Sequence, residues 1–164
     1  MADYKDRLLE TLEVQRAHVL GILEGLSDEA LHQKDLPSGW SCLGLLRHLA
    51  LDNERFWFSD VMAGQVLSEA EAAEAVGDAW DVPDAISGQE MFDLYRREIA
   101  RANVVIASYD LSEPPHNWPA ERWPDWQLKD LNEILLHVIT ETACHAGHFD
   151  VVRELTDGRL WMVL

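Results

Sequence analysis

Glu141-Thr142-Ala143-Cys144-His145-Ala146-Gly147-His148 is the stretch on which the reading of this chain turns. It lies within a helical pattern from about Leu131 to Asp157, where Ile134, Val138, Glu141, His145, His148, Val152 and Leu155 recur at alternating intervals of four and three. That rhythm marks the core-facing line of an amphipathic helix. The line is apolar at its ends and carries a carboxylate and two imidazoles in its middle. Polar groups in a seam of Ile, Val and Leu are unfavourable unless something satisfies them. Glu141 and His145, four apart, project to one side with Cβ atoms about 5–6 Å apart, so one helix can offer two ligands to one metal ion. A neutral hydrogen-bonded Glu–His pair, or a helix turned to face water, fits the same spacing. The metal reading therefore requires a third ligand from another helix.

The second long helix offers one. It starts near Ser41, a good N-cap, and runs to about Ala63, with Gly64 as its stop. Leu43, Leu45, Leu46, Leu49, Leu51, Trp57, Phe58, Val61 and Met62 make it apolar on much of its circumference, as expected of a helix packed on several sides. His48 sits in its densest part, either as a satisfied core histidine or as the third ligand. A first helix is expected over about Asp3 to Glu24, with Leu8, Leu12, Gln15, Val19, Ile22 and Leu26 inward and His18 at the boundary. Ser27 caps a short turn of helix, and Ser87 with Glu90 forms a capping box. The helix that follows carries Phe92, Tyr95, Ile99, Ala102, Ile106 and Tyr109 in the same rhythm. Asp130 with Glu133 opens the fourth helix and Gly158 closes it.

Two long connectors separate these helices. Residues 64–87 are rich in Glu and Ala, with a short helix expected over 69–75. Residues 111–127 hold four prolines and Trp118, Trp123 and Trp126; they either seal an end of the protein or wall a pocket, with Trp118 as a lining residue. Four long amphipathic helices imply an all-α four-helix bundle, one domain over residues 1–164. With the second and fourth helices antiparallel, His48 and His145 lie at similar depth.

The chain carries 13 basic against 30 acidic residues, a net charge of −17. Phosphate backbones and anionic membrane surfaces need basic patches, so neither is an expected partner. No run of about 18 apolar residues suggests a membrane span, and the charged N-terminus does not read as a secretory signal. Cys42 and Cys144 lack zinc-finger spacing and suit a reduced, cytoplasmic setting.

Leu43-Gly44-Leu45-Leu46-Arg47-His48-Leu49-Ala50, followed by Glu54 and Trp57-Phe58, resembles the second helix of the DinB-like bundle metalloproteins. Glu141 through Asp150, followed by Arg153-Glu154-Leu155 and Asp157-Gly158, resembles their fourth. The resemblance implies an up-down-down-up bundle with long crossover connections and a divalent metal near one end. Many members use three histidines. Here His48 and His145 match two of them, and Glu141 replaces the middle one, as in the thiol-dependent branch that includes mycothiol-dependent maleylpyruvate isomerase. That isomerase has an additional C-terminal domain not found in these 164 residues. The resemblance also implies that copies of the chain pair as a homodimer.

His48, Glu141 and His145 would leave a fourth position on Zn²⁺, the pattern of a catalytic site; nickel, manganese or iron would accept the same donors. A low-molecular-weight thiol such as mycothiol or bacillithiol in that position would be activated for transfer or for thiol-assisted isomerisation. The alternatives are a metal-dependent hydrolase and a non-catalytic metal- or ligand-binding bundle of stress-response type. His148 is expected to orient a ligand, or to replace Glu141 as one. Asp52 and Asn53, one turn beyond His48, are expected to line the pocket. His137 is a neighbour of Glu141, Cys144 a packing residue, and His32 and His116 surface residues.

Overall fold

The computed structural model describes residues 3–74, 77–78 and 80–161, and every regular element among them is helical. Helix α1 spans Tyr4–Leu23, α2 Asp28–His32, α3 Cys42–His48, α4 Glu69–Glu74, α5 Gly88–Ser108 and α6 Leu131–Asp157. Their ends follow local chemistry. Ser41 Oγ accepts from the Gly44 N–H at 3.1 Å, and Asp130 Oδ1 from the Glu133 N–H at 2.9 Å. Ser87 and Glu90 close a reciprocal capping box. Each satisfies donors that a helix start leaves without partners. Gly158, at φ 77°, ends α6 with its N–H on the Glu154 carbonyl at 3.0 Å, a left-handed turn open to glycine at no steric cost. The helix expected over 69–75 is α4; Ala75 lies outside the described residues.

The second long helix differs in kind from the expectation. α3 passes without a break into a π-helical segment, Leu49–Met62. Its end shows the wide turn directly: the Ala63 N–H meets the Phe58 carbonyl, five residues back, at 3.0 Å. Such turns are rare and cluster at functional sites, and an apolar rhythm carries no sign of them. The segment is buried on most sides. The less covered positions recur every fourth residue, at His48, Asp52, Phe56 and Asp60, and the first three line one cleft.

Apolar side chains gather in two clusters. One holds Ile22, Leu43, Leu46, Tyr95 and Phe149; the other holds Leu12, Phe58, Met62, Ile106 and Ile134. Each long helix passes between them through buried polar residues: Arg16 in α1, Asn53, Glu54 and Arg55 in the π segment, Glu98 in α5 and Thr142 in α6. Arg16 Nε donates to Glu54 Oε1 at 2.7 Å, and a second guanidinium N–H reaches the other oxygen. Arg55 donates to Glu98 at 2.7 Å, and Asn53 Nδ2 to Thr142 Oγ1 at 3.1 Å. Burial raises the pKa of Glu54, and Arg16 draws it only part of the way back; burial lowers that of Arg16, and Glu54, together with Glu13 and Tyr95, more than restores it. These pulls oppose each other on the carboxyl, and the two-pronged contact decides for the charged pair. A protonated oxygen would point its hydrogen at guanidinium donors.

This polar layer corrects the expected inward faces. In α1 the buried residue is Arg16, while Gln15 is only half-covered. In α5, Met91, Leu94, Glu98 and Val105 are buried, whereas Phe92 and Ile99 are half-covered. In α6 the buried line runs through Val138, Thr142, Ala146, Phe149 and Val152. Glu141 and His145 sit on its flank, and His148 and Leu155 are exposed. A flank position keeps a carboxylate and imidazoles partly hydrated, which full burial would forbid without partners.

Removing one member of the buried pair should cost more than removing both. Arg16→Met is expected to destabilise the protein by about 3–5 kcal/mol, and Arg16→Met with Glu54→Leu by clearly less. Urea unfolding midpoints read the difference.

Candidate metal centre

α3 delivers His48 from its last position, and α6 delivers Glu141 and His145 from consecutive turns of one face. One donor atom from each of the three lies within 4.8 Å of the other two. His145 Nε2 stands 3.6 Å from Glu141 Oε2, and the His48 and His145 rings meet edge to face with centroids 5.2 Å apart. Ligands about 2.0–2.1 Å from a tetrahedral zinc lie roughly 3.3 Å from one another, so small side-chain rotations bring this set to that spacing. The donors, two nitrogens and a carboxylate oxygen, fit a divalent cation chemically.

The outer nitrogens have partners of their own. His48 Nδ1 lies 3.0 Å from Asp52 Oδ2. A carboxylate there fixes the tautomer and leaves the Nε2 lone pair free for a ligand position. His145 Nδ1 lies 3.2 Å from His148 Nδ1. His148 is thus placed beside His145 on the side away from Glu141, not among the three converging groups, and its ring also tilts against Trp40 at 6.1 Å.

Trp80, from the connector, was not marked out by the sequence. Its ring stacks on His48 at 4.7 Å and stands 6.4 Å from His145. Two features hold it there. Arg47 Nη1 donates to the Asp78 carbonyl at 2.8 Å. Gly44, facing the connector, allows its backbone to approach so closely that a Cβ there would come within 2.6 Å of the Trp80 carbonyl oxygen.

A cleft of about 450 Å³ opens beside the three converging groups, lined by His48, Asp52, Glu141, Trp80 and the aromatic wall opposite. That volume suits a small organic molecule. The wall is Phe56, Trp57, Trp123 and Trp126, with His137 packed edge-on to Trp57 at 4.7 Å. Asn53 also lines the cleft, though its side chain is buried on Thr142. Trp118 does not line it; it packs behind with its ring tilted, 6.1 Å from Trp57 and 5.9 Å from Trp123. The reason is local. The His116 and Asn117 N–H groups bind the Met62 and Val61 carbonyls at 3.1 and 3.0 Å, which ties that part of the loop to the far end of the π segment. Cys144, expected to pack, is exposed, because it lies about 200° round the helix from buried Thr142. His116 is exposed, as expected of a surface residue, and His32 is half-buried with Nε2 on the Ile86 carbonyl at 2.8 Å.

Burial, reinforced by His48, lowers the His145 pKa to about 4, against the smaller pull of Glu141. The imidazole is therefore neutral at pH 7, the form a metal requires. The unfolded chain, with an ordinary histidine near 6.5, binds that proton more readily. In chelator, His145 should thus reduce stability as pH falls from about 6.5 towards 4, with no effect above that window. Urea unfolding at pH 7 and pH 4.5 should show a smaller acid loss in His145→Gln than in the wild type.

A family model described as mycothiol-S-transferase matches residues 7–158. None of the curated proteins compared with the chain matches it. The chain belongs to the mycothiol-S-transferase family, and the match supports a mycothiol-related S-transferase function.

Proposed function

We propose that this member of the mycothiol-S-transferase family joins a low-molecular-weight thiol to an electrophile at a divalent-metal site held by His48, Glu141 and His145. The observation that carries the reading is the convergence of those donors, from two separate helices, beside an aromatic cleft. Zinc suits the set best, with nickel, manganese or iron as acceptable substitutes. Bound there with an open position, the metal would lower the pKa of a thiol so that the thiolate is available at neutral pH. The chain's own groups prepare the site. Asp52 holds the proton of His48 on Nδ1, and His148 accepts the one on His145 Nδ1, so both Nε2 lone pairs face inward. Trp80 covers His48 and limits water there, while the tryptophans opposite offer ring faces to an apolar acceptor.

The same reading extends to the architecture. We take the long helices as an up-down-down-up four-helix bundle forming one domain. In support, His18 meets Asp150 while Arg153 meets the Ile22 carbonyl, so α1 and α6 run the same way. His48 faces His145 while Trp57 faces His137, so the second long helix runs against α6. No described helix is long and apolar enough to cross a membrane, and Cys42 and Cys144 are free thiols. Both fit the cytoplasmic setting we infer. Pairing of two copies belongs to this reading too, and sedimentation measures it.

Zinc loading followed by elemental analysis tests the ligands. His48→Ala and His145→Ala are expected to lose the metal, and Asp52→Asn to bind it about 10–100-fold more weakly. For the activity, zinc-loaded protein with mycothiol and a fluorogenic alkyl halide should release the S-conjugate. Chelation should abolish turnover, and added Zn²⁺ should restore it. Folded, metal-loaded protein that gives no conjugate with any thiol would leave a binding protein in place of an enzyme.

A further inference from the structure

We propose that Arg122 recognises a carboxylate on the acceptor, so that the electrophile served by this cleft is an apolar, ring-bearing molecule with an acidic group. This rests on the thiol-transfer reading of the site and names the class of its second substrate.

In a chain with 13 basic and 30 acidic residues, an arginine has carboxylates in abundance to pair with. Arg16, Arg55, Arg96, Arg101 and Arg153 each do so. Arg122 makes no ion pair among the described residues, although Glu121 precedes it and Asp125 follows three positions later. Its guanidinium lies instead 4.7 Å from the Trp123 ring centroid and 5.5 Å from that of Phe56. It lines the same cleft as His48 and Glu141.

Aromatic rings hold a guanidinium by its faces. Its donors point outward in the plane, and two parallel N–H groups match the two oxygens of a carboxylate. Phe56 and Trp123, whose rings meet at 72°, hold the cation without offering it an oxygen acceptor, so N–H donors remain for an anion. The acidic groups of the cleft do not compete for that edge, because Asp52 is engaged by His48 and Glu141 stands against His145. Mycothiol carries no charged group besides its thiol, so it gives this cation nothing to pair with at a distance from the reacting sulfur. The acceptor does. Its apolar body would lie on the Trp123 and Trp126 rings with its acid at Arg122.

The binding test needs no turnover. Quenching of tryptophan fluorescence reports binding of 1-naphthoate and of its uncharged analogue 1-naphthamide. Naphthoate is expected to bind the wild type about tenfold more tightly, and Arg122→Gln to remove that preference while leaving naphthamide within about twofold. Equal binding of the two by the wild type, or a preference that survives Arg122→Gln, overturns the proposal.

The kinetic test uses 4-chloro-3-nitrobenzoate and its methyl ester with mycothiol. The thiolate sulfur forms the new bond to the ring carbon, chloride leaves with the electron pair of the C–Cl bond, and the thiol proton passes to buffer. The ratio of kcat/KM for acid over ester should fall about tenfold in Arg122→Gln, with the ester little changed. Turnover of both acceptors with an unchanged ratio overturns the Arg122 assignment and leaves thiol transfer standing. The converse outcome, naphthoate preference without turnover of these acceptors or of the alkyl halide with any thiol, supports the carboxylate site and removes the thiol-transfer reading.

Discussion

The two-pronged contact between Arg16 and Glu54 is the constraint around which the interior is arranged. Each charge, once out of water, depends on the other, and the solvation lost by the pair roughly offsets their attraction. Its effect is on register more than on net stability. Apolar clusters tolerate sliding, since Leu against Leu is much the same one position along. A carboxylate displaced from its guanidinium is not tolerated. Asn53 on Thr142 and Arg55 on Glu98 repeat the condition towards α6 and α5. Three consecutive residues of the π segment are thus each pinned to a different helix, a short distance along the chain from His48. The three converging donor groups inherit a positional accuracy beyond what their own contacts supply.

Much of this was legible in the sequence where the cause was local. Ser41, Ser87, Asp130 and Gly158 act on backbone groups within a few residues, and each does what its type and position suggest. The pairing of His48 with Glu141 and His145 was also within reach. Imidazoles interrupting apolar rhythm on two helices left few ways to satisfy them together.

What was not legible depended on distant partners. Periodicity counts apolar residues, so it passed over Arg16 and Glu54, whose burial is justified only by each other. The same blindness turned the inward face of α6 by one position, because Thr142 and Ala146 look unremarkable until Asn53 and a close neighbour are in place. Trp80 lies 32 residues from His48 and in an irregular connector. A signal did exist in Gly44, a glycine inside a strong helix, which marks close approach of another backbone. For the loop tryptophans, composition announced an aromatic wall, but which rings face inward was set by backbone bonds to the end of the π segment.

The wide turn of Leu49–Met62 has a consequence for how this protein can vary. An α-helix gains little if shortened within a loop, but here the residue count itself is part of the architecture. Loss of a single residue from the segment would shift the register of everything beyond it by one position. With the winding kept, that part would turn by roughly a quarter of a circle relative to the rest, carrying Trp57 and Phe58 out of their places while His48 stayed. Homologous chains that keep this cleft should therefore preserve the length of this stretch even where its side chains drift, and accept insertions in the connectors instead.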